Sequence, residues 1–344
     1  MDFDINASDQ LGSDGCLEFS HPANAGLPDL WCDNPTDCPF KALYDDVYSA
    51  AMSRADFWVA AANAVIKITS PNQSLDLTFR SGRIDSDNCP NSSGRLPEPA
   101  ACDDVEGAFI TRMGLTWTDA VALLGAHTLG RGDQNFSGHP GTWVQSDEES
   151  TIFDKQFYEE VLNRGWRPRQ TDTDVADNDW TWGGRNRGVM MLNTDICLRY
   201  DIDDGSPCCT NTNQDCRDNS VQNIQCDDSS DVRPEAFAAF NEFVAGNRGD
   251  NDAFFSAFSS AWVKATENGY DSLLDLVNIC EETLEPTLNP TGVIVEPTLN
   301  PTGICSDVDS FIDMKGRTRD CAWVEDKDKC RKFSDECPVT CNAC

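Results

Sequence analysis

The chain has 344 residues, 39% of them hydrophobic, and a formal charge of −33, enough for one large domain or two modest ones. A polyanion of this strength is repelled by nucleic acid and by anionic membrane surfaces, so neither is an expected partner. No segment reaches the roughly 18 apolar residues that a membrane span needs.

Met1-Asp2-Phe3-Asp4 opens an acidic stretch with no basic or apolar leader, so no signal peptide is read within the chain. Ser53-Arg54-Ala55-Asp56 reads as a helix start before a run from Phe57 to Ile68. Thr118-Asp119 is expected to cap a second run, Ala120 to His127, which Gly130 can end. The acidic, cysteine-rich stretch 201–232 reads as a long stapled loop. Pro234 suits the first turn of a helix whose Phe237, Phe240, Phe243 and Val244 share one face. Phe254, Phe255, Phe258 and Trp262 repeat that pattern before Asn268-Gly269. Strand-like alternation is scarce, so the body is expected to be mainly α.

Residues 285–292 and 296–303 repeat the octet Glu-Pro-Thr-Leu-Asn-Pro-Thr-Gly, a proline density that favours an extended spacer. Beyond it, Cys305, Cys321, Cys330, Cys337, Cys341 and Cys344 crowd a tail with little apolar content, which needs cross-links to fold. The expected division is a body over 1–283, a linker over 284–304 and a small cystine domain over 305–344.

Seventeen cysteines point to an oxidising compartment and hence to secretion. No run has the spacing of a structural zinc site. Sequons at Asn6, Asn72, Asn91 and Asn135 add little, because such short motifs arise often by chance. Eleven cysteines remain in the body, an odd number. Together with the missing leader, this gives the expectation that the natural start lies upstream.

Of the three histidines, His21 and His139 sit in turn-like contexts and read as surface residues. His127 follows Ala120, Leu123 and Leu124 on an apolar face. Most histidines so placed are hydrogen-bonded core residues rather than ligands. Its small neighbours Gly125, Ala126 and Gly130 would let a flat cofactor approach.

The run Val121-Ala-Leu-Leu-Gly-Ala-His127-Thr-Leu-Gly-Arg131 resembles the proximal-histidine helix of the plant-type haem peroxidases. Ala23–Leu27, Arg54-Ala-Asp56, Gly82-Arg-Ile-Asp85 and Gly94-Arg-Leu-Pro97 occur in that family's order. Gly141-Thr-Trp143, Ile152-Phe-Asp154, Met190–Asp195 and Asn251–Phe255 continue it. The similarity covers roughly residues 12–280 and is strongest to the cytochrome c peroxidase and ascorbate peroxidase branch.

The resemblance implies a mainly α haem peroxidase fold, haem b as cofactor, and one-electron oxidation of a small reducing substrate at the expense of hydrogen peroxide. His127 would be the axial iron ligand, and Asp195 would fix its tautomer and strengthen it as a donor. Trp143 matches the indole beside that ligand and could hold a radical; otherwise it is a core tryptophan. Arg131 and Pro97 match the haem edge, with Arg131 suited to a propionate. Thr128 and Asp154 match two ligands of a proximal K+ or Ca2+ site found in some branches, whereas Val144 offers only its carbonyl. Phe136 stands where ascorbate-specific members hold an arginine, so ascorbate is not the expected donor.

The family's distal histidine and arginine precede the segment matching Gly12–Cys16, and residues 1–11 contain neither. The expectation is therefore a fold without its N-terminal distal helix in this chain. An alternative function is a catalytically dead haem-fold protein that acts as an extracellular interaction module. The tail resembles the ShK toxin-like domain, which implies Cys305–Cys344, Cys321–Cys337 and Cys330–Cys341 and suggests a tether to wall or matrix material. Spacing alone leaves fifteen pairings open.

Overall fold

A computed structural model describes residues 3–7, 12–18, 20, 24–32, 36–87, 89, 95, 98–168, 179–182, 188–202, 208–213 and 224–275, together with the short strands at 311–312 and 318–319. The chain divides into two compact units, Met1–Leu273 and Leu274–Cys344. In the second, Phe311–Ile312 pairs antiparallel with Thr318–Arg319. The linker repeats, the cystine pairing of the tail, Pro97, His21 and Asn91 lie outside the described residues.

The first unit is mainly α. Among the described residues its α-helices are α1 (Pro39–Leu43), α2 (Arg54–Thr69), α3 (Cys102–Val105), α4 (Trp117–Leu124), α5 (Gln156–Asn163), α6 (Asn193–Ile196), α7 (Pro234–Val244) and α8 (Asp252–Glu267). Helix α4 packs against α7 and α8, and α5 against α7. Their shared core is aromatic: Phe153, Phe157, Tyr158, Phe240, Phe243, Phe254 and Phe258 are all essentially buried. Tyr158 meets Phe240, Phe243 and Phe254 edge-on, the geometry that ring quadrupoles favour. Each such ring contributes roughly 1.5–3 kcal/mol by leaving water.

The cap of α2 is Ser53, whose hydroxyl accepts the Asp56 amide at 3.0 Å. The Asp85 carboxylate accepts the Arg54 and Ala55 amides at 2.9 and 2.8 Å, satisfying two more free donors of that terminus. In return, Asp56 accepts the Gly82 amide at 2.7 Å and a guanidinium N–H of Arg83 at 2.8 Å. Both side chains of the Asp56–Arg83 pair are almost wholly buried. Arg83 Nε also donates to the Thr266 carbonyl at 3.0 Å, which ties α2 to α8. Two sequence motifs distant along the chain are thus one interlocked joint.

The start of α4 differs from the expectation. Its cap is Thr116, not Thr118-Asp119. The Thr116 hydroxyl accepts the Asp119 amide at 3.1 Å, and Asp119 accepts the Thr116 amide at 3.0 Å. The reciprocal pair places Asp119 three residues inside the helix, where a carboxylate completes the box. The α-helix also stops before His127. Residues Gly125–Thr128 tighten into a 3-10 turn, and Gly130 leaves it with φ +77°. A side chain at position 125 would put its Cβ 2.2 Å from the Tyr158 hydroxyl and 2.6 Å from the Phe254 ring, so only glycine fits.

Short antiparallel strands supplement the helices, most notably the sheet of Trp166–Pro168, Asp179–Trp182 and Met190–Leu192. Strands of three or four residues are too short to show alternation in a sequence. Disulfides join Cys16–Cys89, Cys32–Cys38, Cys102–Cys197 and Cys208–Cys226, and Cys209 is also disulfide-bonded. The Cys208–Cys226 bond staples the loop within 201–232, as its composition predicts.

Burial pushes the Asp119 carboxyl up, but hydrogen bonds from Lys264 and Thr116 outweigh it and hold the group below its ordinary value. A depressed carboxyl stabilises the fold above the unfolded value near 3.9, and this contribution is lost as pH falls towards the folded value. Urea midpoints should therefore fall more steeply between about pH 5 and pH 3 in the wild type than in Asp119→Asn. At pH 7 the variant should be less stable by about 1 kcal/mol. Parallel pH profiles would show that the cap does not carry the effect.

Candidate functional site

His127 leaves the 3-10 turn with its side chain 29% exposed, and its Nδ1 lies 2.7 Å from Asp195 Oδ1. Asp195 is fully buried on the one-turn helix α6. Its second oxygen accepts Trp143 Nε1–H at 2.7 Å and the Leu192 backbone N–H at 2.7 Å. The Trp143 and His127 rings stack with centroids 4.3 Å apart and planes 19° from parallel. Phe157 meets the imidazole edge-on at 6.0 Å.

An ionised carboxylate only accepts hydrogen bonds, so facing Asp195 the imidazole Nδ1 must donate. In the neutral ring this puts the lone pair on Nε2, the form that binds a metal. The sequence-predicted His127, Asp195 and Trp143 come together as one unit although 68 and 52 residues separate the hydrogen-bonded pairs.

His127 and Trp143 line a cavity of about 420 Å³. Ala25, Gly26, Met190 and Leu192 supply apolar wall, and Arg131, Phe136 and His139 stand around it. Arg131 lies on a hairpin in which Arg131–Gly132 pairs with Gly141–Thr142. Its side chain is 62% exposed and reaches Asp147 only at 3.6 Å, so it stays available to an anionic group at the rim. Phe136 is half exposed against Gly26, where any Cβ would strike the ring. A second cavity of about 520 Å³, walled by Trp31, Phe40, Trp58 and Trp262, contains none of the predicted site residues.

Thr128 and Asp154 also meet. The buried Thr128 hydroxyl lies 3.3 Å from both Asp154 Oδ1 and the Ile152 carbonyl. Burial pushes the Asp154 carboxyl up, partly offset by hydrogen bonds from the Gln156 amide and Thr128. The Val144 carbonyl accepts the Thr142 hydroxyl at 2.6 Å. Among the described residues, no cluster of three or more His, Cys, Asp or Glu side chains is arranged for a metal ion.

Sequence reasoning did not assign Met190, Leu192, Ala25 or Gly26 to the cavity. Met190 and Leu192 lie in the quoted Met190–Asp195 run, and Ala25 and Gly26 in Ala23–Leu27, so the motifs held the signal without the roles.

Residues 18–203, just over half of the sequence, match the peroxidase family. The chain belongs to that family. It is 29% identical over 255 residues to the mitochondrial cytochrome c peroxidase of Emericella nidulans, an overlap of 73% of this chain and 55% of the relative. It is 28% identical over 253 residues to the cytosolic L-ascorbate peroxidase 2 of Arabidopsis thaliana, covering 74% of this chain and 72% of the relative. The chain spans little more than half the length of the fungal cytochrome c peroxidases it matches.

Removing the carboxylate should reveal how much of this peroxidase-family core depends on it. Asp195→Ala strands three donors and should cost about 3–5 kcal/mol in urea denaturation, with Asp195→Asn recovering part of the loss. A loss below about 1 kcal/mol in the alanine variant would contradict the triad's structural weight.

Proposed function

We propose that the chain is a haem peroxidase that reduces hydrogen peroxide and oxidises a small donor by one-electron steps. The observation that carries this is the His127–Asp195–Trp143 unit, in which His127 and Trp143 line an open, largely apolar cavity. The donor set fits haem b. An imidazole with its other nitrogen anchored would supply a ligand to the iron, Met190 and Leu192 offer apolar wall to a flat group, and Arg131 could meet a propionate. Bound haem would supply the iron at which peroxide is reduced.

The protein's part is to hold and tune. His127 would ligate through Nε2, and Asp195 would keep the Nδ1 proton and lend the ring anionic character. Trp143 is the oxidisable side chain in contact with the ligand ring. Its N–H is held by the same carboxylate, so ring orientation and charge are coupled. Thr128 and Asp154 are the proposed holders of one K+ or Ca2+, which would relieve the buried carboxyl.

The four disulfides named above support an oxidising, extracellular location. Removal of peroxide there suits a response to oxidative stress. A wall or matrix partner is assigned to the cystine-rich tail.

Haemin titration of the full chain should give a Soret band with saturable binding. His127→Ala should weaken binding at least tenfold, about 1.4 kcal/mol. Peroxide-dependent oxidation of a dye donor reads turnover separately. Absence of saturable binding would overturn the cofactor assignment; binding without turnover would favour the interaction-module reading.

A further inference from the structure

Asp195 rides on α6, and a four-residue helix has no stability of its own. Something outside it must hold the carboxylate in place. Two residues before Asp195, the Asn193 amide donates to the Ala100 carbonyl at 2.5 Å and its oxygen accepts Trp180 Nε1–H at 2.7 Å. Two residues after it, Cys197 is disulfide-bonded to Cys102. Both ties land on residues 100–102. Cys197 and Cys102 are buried in a small cluster with Val105 and Ala120, so the covalent link also reaches the helix that leads to His127.

We propose that the Cys102–Cys197 disulfide, with Asn193, is a brace that positions Asp195 against His127 and Trp143. Cys102, Cys197 and Asn193 are positioning residues, since none of them is within the triad itself. The inference rests on the reading of Asp195 as the orienter of His127, but its test needs no haem.

The reporters are the Trp143 indole N–H and the Leu192 amide, both donors to Asp195 Oδ2. Each is followed by nitrogen-resolved NMR in the full, haem-free chain, with Trp143→Phe giving the indole assignment. Replacing both Cys102 and Cys197 by Ala should shift or broaden the indole signal and speed Leu192 amide exchange at least tenfold. Replacing Cys208 and Cys226 by Ala, a disulfide in the same unit that bonds neither side of Asp195, should leave both reporters in place. If the Cys102/Cys197 variant folds and both reporters stay unchanged, or if the Cys208/Cys226 variant moves them equally, the proposal is overturned. Should the Cys102/Cys197 variant fail to fold, Asn193→Ala decides alone: it keeps every disulfide, and unchanged reporters there would also overturn the brace. Haemin binding by the wild type is scored independently, so failure of the brace and failure of the haem assignment are separate results.

Discussion

A single buried carboxylate organises this protein. Asp195 accepts from an imidazole, an indole and a backbone amide, each at 2.7 Å, and is wholly shielded from water. Burying a charge is costly unless its lone pairs are satisfied, and here three donors from separate parts of the chain satisfy them. The same bonds fix the orientation of His127 and hold Trp143 alongside it. Stability and the orientation of His127 are therefore set by one group, and a change that disturbs either disturbs both.

The surrounding fold serves to deliver those donors. Helix α4 is capped by the Thr116–Asp119 box and tied to α8 by Lys264, which donates to Asp119 at 2.7 Å. The buried Tyr158 hydroxyl donates to the Val121 carbonyl at 2.9 Å, fixing the last turn before the 3-10 segment. Gly125 lets that turn lie directly on Tyr158 and Phe254. On the other side, the hairpin from Arg131 to Thr142 leads straight into Trp143, so His127 and its stacking partner are separated by a short, constrained loop. The charge of −33 repels anionic molecules at long range.

Much of the helical scaffold was legible in the sequence because it rests on local rules. The Ser53 cap, Pro234 in a first turn and the phenylalanine spacing of α7 and α8 follow from helix geometry and capping chemistry alone. The start and end of α4 were not legible in detail. Both Thr116 and Thr118 are acceptable caps, and only the reciprocal bond to Asp119 selects one; the early stop needs Gly125 to meet side chains more than thirty residues away. The site followed the same division. Periodicity placed His127 on an apolar face, where a core histidine is the ordinary outcome. Its partners Asp195 and Trp143 came only from family resemblance, because no local pattern links residues that far apart. Helices as short as α3 and α6 carry no periodicity at all, so the brace around Asp195 was invisible until the chain was folded.

Facing Asp195, His127 is held in the tautomer with a proton on Nδ1 and a bare lone pair on Nε2. Long-range proton–nitrogen correlation NMR on the haem-free chain, at a pH where the ring is neutral, reads this directly. Nδ1 should show a protonated-type shift and Nε2 an unprotonated one, with that preference lost in Asp195→Ala. A neutral ring protonated on Nε2 in the wild type would contradict it.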